Sequence, residues 1–271
     1  MVEGARASIP RSVQRPARYV SSRAMTSGRG VAVVTGASAG IGAATARALA
    51  GQGFSVVLGA RRVERLLEVA APIGGRAIAL DVTDQKSVEA FAAQVPDARV
   101  LVNNAGGALG REDVAMADLE AWQWMLEVNF VGTARMTKAL LPTLERSGDG
   151  HVVIVNSIAG FETYPAGAGY TAAKHAERAL TKTLRLELLG KPIRVTEINP
   201  GLVGGTEFSL VRFGGDMERV RKVYEGLTPL TAEDVADAVA WAVTRPSHVN
   251  VDEVVLRPRD QATARDFHRS G

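Results

Sequence analysis

Tyr170 and Lys174 stand four positions apart in Tyr170-Thr171-Ala172-Ala173-Lys174. On a helix that spacing puts both side chains on one face. A tyrosine at its ordinary pKa of about 10 is a poor base at neutral pH. An ammonium group beside it stabilises the phenolate and lowers that pKa. Such a pair suits proton transfer to or from a carbonyl or alcohol oxygen. The same spacing is common on ordinary helix surfaces, so its weight depends on what accompanies it. Ser157 accompanies it, at the end of the apolar run 151–156. Its hydroxyl could hold a substrate oxygen, although a serine in that position also serves as a turn residue.

A second feature is the glycine-rich turn Thr35-Gly36-Ala37-Ser38-Ala39-Gly40-Ile41-Gly42, between a β-branched run and an amphipathic stretch. Glycines let backbone turn tightly and approach a pyrophosphate, whose charge a helix N-terminus meets. Gly36, Ser38, Ala39, Gly40, Ile41 and Gly42 are therefore candidate phosphate-cradle residues. The spacing is G-x-x-x-G-x-G rather than G-x-G-x-x-G. Residues 36–40 also spell G-x-S-x-G, the strand–turn–helix elbow of serine hydrolases, which would make Ser38 a nucleophile. That elbow normally follows several earlier strands, and only an arginine-rich stretch precedes Val31 here. None of the four histidines has a setting that marks it as the required base.

The end of the second apolar run bears on the nucleotide. In a dinucleotide fold a carboxylate there accepts hydrogen bonds from the ribose of NAD, whereas a basic residue suits the 2′-phosphate of NADP. This run ends Leu58-Gly59-Ala60-Arg61-Arg62, with no acid from Ser55 to Val63. Arginine binds phosphate bidentately and a carboxylate would repel it, so Arg61 and Arg62 point to NADP(H). Asp81 and Val82 end the third run. Asp81 could bond adenine or cap the helix starting near Asp84.

The elements that must position these residues follow from periodicity. Short β-branched runs at 31–35, 55–59, 76–80, 99–103, 151–156, 193–198 and 251–256 alternate with amphipathic stretches at 41–51, 62–71, 85–95, 119–144 (in two pieces), 170–189 and 232–243. Continuous apolar strands between helices predict a parallel sheet covered on both faces. Right-handed crossovers make it a single-domain, Rossmann-like doubly wound α/β sheet of about seven parallel strands. The domain is predicted over residues 30–271, after an Arg-rich tail at 1–29.

Thr35 to Gly42, Asn103-Asn104-Ala105-Gly106, Asn129, Ser157, Tyr170 with Lys174, and Pro200-Gly201 occur in that order. The set resembles the short-chain dehydrogenase/reductase family over roughly residues 30–257. The resemblance implies a Ser–Tyr–Lys–Asn tetrad. Tyr170 would be acid in reduction and base in oxidation, Lys174 would bind the nicotinamide ribose and tune Tyr170, Ser157 would orient the substrate oxygen, and Asn129 would hold a relay water. Asn103, Ala105 and Gly106 would line the adenosine side, and Pro200, Gly201, Val203 and Thr206 would pass the nicotinamide. The run from Pro200 to Phe213, with 230–236, 248–251 and 104–110, is similar to the NADP-dependent 3-hydroxy acid dehydrogenases. That subgroup acts on serine, allo-threonine and related acids. The segment 161–169 is less distinctive. A small anionic substrate needs a cation, for which Arg212 is the first candidate and Arg111 the second. Glycines at 204, 205, 214 and 215 suit a segment that closes over substrate. The alternative within the family is an NADPH-dependent reductase of a bulkier ketone or aldehyde.

Composition narrows the classes. The 271 residues contain no cysteine, which excludes disulfides, thiolate metal sites and a cysteine nucleophile. The formal charge of +3 is uneven: residues 1–24 hold five arginines and one acid, +4, leaving −1 for the rest. The basicity belongs to the tail, so no nucleic-acid partner is expected. The tail reads as disordered. It fits an organelle transit peptide, or an upstream start site, since Met25 lies just before the first strand. No apolar run spans a membrane, and no His/carboxylate cluster suggests a metal. A cytoplasmic enzyme is expected, a homotetramer or homodimer by the family resemblance, packed through helices near 119–144 and 170–189.

Overall fold

The computed structural model describes residues 28–270. The expectations for the N-terminal tail thus fall almost wholly outside the described residues. The chain runs β1 (Val31–Thr35), α1 (Gly40–Gly51), β2 (Ser55–Ala60), α2 (Val63–Ala70), β3 (Arg76–Ala79), α3 (Gln85–Ala92), β4 (Ala98–Asn103), α4 (Leu119–Leu126), α5 (Gly132–Arg146), β5 (Gly150–Val155), α6 (Ala168–Glu187), β6 (Ile193–Pro200), α7 (Phe208–Arg212), α8 (Met217–Tyr224), α9 (Ala232–Val243) and β7 (Glu253–Leu256). The seven strands form one parallel sheet in the order β3-β2-β1-β4-β5-β6-β7. Strand order reverses between β1 and β4, which opens a crevice at their carboxyl ends where such sheets bind ligands.

Side-chain alternation splits the core in two. Val33, Leu101, Val152, Phe91, Met136 and Leu184 pack on one face. Val34, Val102, Val153, Leu49, Ile198 and Val239 pack on the other. The inner strands β1, β2, β5 and β6 are buried throughout, while the edge strands β3 and β7 are partly exposed.

Three local features go beyond the periodicity reading. The two pieces expected of the long amphipathic stretch, α4 and α5, are joined by a single π-helical turn, Glu127–Val131. The wider turn shifts the helix register at Asn129. Strand β7 begins at Glu253, two residues later than predicted. The Asn250 side chain replaces backbone there, accepting from Val195 N (2.8 Å) and donating to Val195 O (3.1 Å). The closing segment contains helices rather than loop alone. Asp216 caps α8 by accepting from Glu218 N (3.0 Å) and Arg219 N (3.1 Å). Beyond β7 the chain folds back, with Leu202 N donating to Gln261 Oε1 (2.8 Å) and Arg257 paired with Glu162 (2.5 Å).

Candidate active site

The crevice is a cleft of about 1260 Å³. At its floor β1 turns into α1. Gly36 has φ +65°, and a Cβ on it would lie 2.9 Å from Ala105 Cα. A Cβ on Gly42 would lie 2.5 Å from both Gly36 O and Asn104 Nδ2. These two glycines let the turn press against the end of β4. Thr35 completes the joint: its hydroxyl donates to Val102 O (3.3 Å) and accepts from Asn104 N and Ala105 N (3.0 Å each). Gly36, Ser38, Ala39, Gly40 and Ile41 line the cleft, as do Ala105 and Gly106. Gly42 and Asn103 do not. They sit behind it, Gly42 as packing and Asn103 as a buried donor to Thr137 Oγ1 (3.0 Å).

At one end of the cleft Arg62 Nη2 donates to Ser38 Oγ (3.3 Å) and to Glu207 Oε2 (2.6 Å), and Arg65 binds the other Glu207 oxygen. The two guanidinium groups, Arg62 first, hold the Glu207 carboxyl below its ordinary range. Arg61 also lines this end and is exposed. No carboxylate of β2 faces it. Asp81 and Val82 line the adjoining wall. Asp81 Oδ1 accepts from Thr83 N (3.0 Å) and Thr83 Oγ1 (2.7 Å), and the cap of α3 is Asp84. No local pattern announces Arg65 and Glu207, because their pairing joins α2 to a segment over 140 positions away.

Asn129, Ser157, Tyr170 and Lys174 meet at the other end, all lining the cleft. Tyr170 is 8 % and Lys174 5 % exposed. Lys174 Nζ donates to Val155 O (3.2 Å) and Glu177 Oε2 (2.6 Å), which leaves one of its three N–H groups for the cleft. Asn129 Nδ2 donates to Gly107 O and Met125 O (2.8 Å each), while its Oδ1 accepts from Gly107 N (3.1 Å). Its side chain therefore pins the segment after β4. Ser157 Oγ accepts from Ala159 N (3.1 Å).

Burial pushes the Tyr170 phenol above its ordinary value. Lys174, Ser157 and Arg212 pull the other way without prevailing. Lys174 acts in the direction expected of an ammonium beside a phenol, and in this enclosed site desolvation of the phenolate is the larger effect.

Helices α7 and α8 roof this end. The Phe208 ring meets Tyr170 edge-on at 5.6 Å. Arg212 Cζ lies 5.5 Å from the Tyr170 ring centroid. Its Nη1 donates to Tyr164 Oη (3.0 Å) and its Nε to Gly110 O (3.0 Å), which docks the roof on the segment after β4. Arg111 stacks over Tyr164 at 5.6 Å and is otherwise exposed. Pro200, Gly201, Val203 and Thr206 line the cleft beneath. Gln261, Arg265 and Phe267 of the C-terminal segment line it too, and no local pattern announced them. No histidine lines this cleft among the described residues, so Ser38 lacks the base that the hydrolase reading required. Those residues also contain no group of three or more His, Cys, Asp or Glu side chains placed to hold a metal ion. None of their helices is long and apolar enough to cross a membrane.

A parallel sheet with a glycine turn at its switch point, and a tyrosine–lysine pair across the cleft, defines a Rossmann-type oxidoreductase. The chain belongs to the short-chain dehydrogenase family, whose profile matches residues 30–212. It is 62% identical over 234 residues, 86% of this chain and 93% of the relative, to an uncharacterized oxidoreductase of Mycobacterium tuberculosis. It is 42% identical to the NADP-dependent 3-hydroxy acid dehydrogenase of Salmonella typhi, covering 89% of this chain and all of that one (100%). A serine dehydrogenase solved in its closed form with NADP+ superposes with a TM-score of 0.84 at 40% identity, over 89% of this chain and 100% of that one.

Proposed function

We propose that this protein is an NADP-dependent dehydrogenase interconverting a small 3-hydroxy acid of the serine, allo-threonine or 3-hydroxyisobutyrate type and its 3-oxo acid. The observation that carries the reading is the Arg212 guanidinium, 5.5 Å from the Tyr170 ring inside the cleft. A half-buried cation beside a proton-handling phenol suits a substrate with a carboxylate near its reacting oxygen. The relatives named for 3-hydroxy acids and for serine support the same class.

The chain's residues fit the nucleotide. The glycine turn leaves backbone N–H groups at the start of α1 open to a pyrophosphate. Arg62, Arg61 and Ser38 suit a 2′-phosphate, and the free N–H of Lys174 faces the cleft where a ribose would lie. When bound, the nicotinamide supplies or accepts a hydride.

The remaining chemistry belongs to the chain. In reduction the Tyr170 hydroxyl gives its proton to the substrate oxygen, and in oxidation the phenolate takes one. Lys174 stabilises the phenolate electrostatically. Ser157 Oγ orients the substrate oxygen. Asn129 holds the Gly107 segment and thereby one wall of the pocket. Arg212 grips the carboxylate, with Arg111 on the outer rim, and α7 and α8 exclude water. The protein would act in the cytoplasm as a homo-oligomer. Exposed Leu119 on α4 and Leu186 on α6 suit burial between copies.

The test follows NADPH absorbance with serine, allo-threonine, 3-hydroxyisobutyrate, 3-hydroxypropionate and a set of neutral alcohols. Turnover of at least one acid, with NADP strongly preferred to NAD, is expected. Turnover of bulky neutral substrates alone would overturn the 3-hydroxy acid assignment, because a neutral ketone gives Arg212 no counter-charge.

A further inference from the structure

Glu177 is 1 % exposed and has no part in the chemistry above. It lies three positions after Lys174 on α6, so its carboxyl returns to the lysine on the same helix face. Oε2 accepts from Lys174 Nζ at 2.6 Å, and Oε1 lies 2.8 Å from Thr133 Oγ1. Thr133 Oγ1 is also 2.7 Å from Asn129 O. A hydroxyl has one proton to give. While Glu177 is ionised, both neighbours are acceptors and Thr133 can serve only one. A proton on Oε1 would donate to Thr133 and satisfy both contacts. The ionised carboxyl therefore leaves one of these two contacts without a proton, and the protonated carboxyl leaves neither.

The charged and polar groups around it come from three elements. Lys174 shares its helix, Thr133 belongs to α5, and Glu197 of β6 adds a second buried carboxyl. Burial pushes Glu177 above the ordinary carboxylate value and Glu197 reinforces this, while Lys174 and Thr133 oppose it.

We infer that Glu177 is a positioning residue that sets the proton affinity of Tyr170 through Lys174, an inference that rests on the reading of Tyr170 as the acid/base group. An ionised Glu177 neutralises much of the Lys174 field and keeps Tyr170 as a phenol. A neutral Glu177 leaves the lysine charge to act on Tyr170 alone, and the phenolate forms at lower pH. The site therefore carries its own control on the pH at which the tyrosine changes from acid to base.

The test uses the full chain without nucleotide. Four tyrosines are present, so the tyrosinate absorbance of Tyr170 is isolated by subtracting the Tyr170→Phe counterpart of each protein. Glu177→Gln keeps an oxygen for Lys174 and an N–H for Thr133 but carries no charge. The Tyr170 midpoint is expected to fall by about one pH unit, tenfold more phenolate at a given pH. The pH profile of NADP-linked oxidation should move by the same amount in the same direction. Glu177→Met with Thr133→Val is the second variant, replacing both polar partners by apolar groups of similar shape. It should give the same downward shift. An unchanged or raised midpoint in a folded variant overturns the inference. Failure of the Tyr170 reading is distinguishable: Tyr170→Phe would then leave turnover intact, whatever the midpoints do.

Discussion

Glu207 Oε2 of the closing segment lies 2.6 Å from Arg62 Nη2 at the head of α2. The roof of the cleft thereby rests a carboxylate on the guanidinium groups that the 2′-phosphate of NADP would use. A phosphate entering the same site must share those donors with Glu207 or displace it. The pair is 47 % and 36 % exposed, so solvent screens it and the ion pair is worth roughly 0–1 kcal/mol. Glu207→Gln should therefore tighten NADPH binding by up to about fivefold and leave NADH unchanged. Fluorescence titration of bound NADPH measures this. Weaker NADPH binding in the variant would show that Glu207 assists the nucleotide rather than competes with it.

Arg62→Ala removes the donor shared by Ser38 and Glu207. A charge-assisted hydrogen bond is worth about 1.5–3 kcal/mol, so the NADPH dissociation constant should rise on the order of ten- to a hundredfold. NADH binding should change little. Arg61, exposed and outside this constellation, should give the smaller effect when replaced. Equal losses for the two nucleotides in Arg62→Ala would remove the 2′-phosphate assignment.

The parts of this site legible in the sequence were those with a local signature. The glycine turn, the arginines ending β2 and the tyrosine–lysine spacing each follow from chain geometry over a few residues. Gly42 and Asn103 carried the right motif, yet the same motif serves packing behind the cleft. Arg65–Glu207 and Gln261–Leu202 are contacts between distant segments, and no periodicity encodes them. Glu177 is an intermediate case. Its spacing from Lys174 is readable, but its meaning comes from burial beneath α5 and β6, which only the folded chain supplies. Helices α7 and α8 are short and lie between glycines that read as loop, and the Asp216 cap is the one local signal that marks α8.

Tyr170→Phe should lower kcat by about 10²–10⁴-fold, the usual contribution of a positioned acid or base. NADPH binding and thermal stability should stay close to wild type. Lys174→Met is expected to be different, because it leaves Glu177 buried without its cation. Breaking a buried pair from one side costs about 3–5 kcal/mol, a fall in Tm on the order of 10 °C for a domain of this size. Adding Glu177→Met should recover most of that stability and none of the activity. Recovery of activity would assign Lys174 a purely structural role.

The pH dependence of turnover follows from the raised Tyr170 pKa. At neutral pH the phenol predominates, which is the form that donates in reduction. Oxidation needs the phenolate, so its rate should climb with pH from neutrality toward that raised pKa, while reduction should stay level around neutrality and fall only as pH passes it. Parallel profiles for the two directions would exclude Tyr170 as the titrating group.

Arg212→Ala should raise KM for a 3-hydroxy acid by roughly ten- to a hundredfold, from loss of a charge-assisted contact. The KM of a neutral alcohol should change far less. Because Arg212 also docks the roof through Gly110 O and Tyr164 Oη, Arg212→Lys separates the two roles. Lysine keeps the charge but cannot reproduce the fork. An unchanged KM in Arg212→Ala would abandon the carboxylate grip.

His151 offers a stability test independent of the cleft. It is fully buried on β5, with Nε2 2.7 Å from Thr196 Oγ1 and Nδ1 without a partner among the described residues. Burial first, then the charges of Arg194 and Arg99, lower its pKa from 6.5 to about 3. The unfolded chain binds a proton at His151 near pH 6.5 and the native state does so only near pH 3. Unfolding therefore takes up a proton in that window, and native stability declines as pH falls through it. The contribution is on the order of 5 kcal/mol, fully present above the unfolded pKa and lost toward the folded one. His151→Gln keeps a neutral polar group opposite Thr196 and cannot titrate. Urea midpoints of the two proteins should run parallel above pH 7 and converge or cross as pH falls toward 4, the variant losing less. A constant difference across that range would mean that His151 is protonated in the folded protein too.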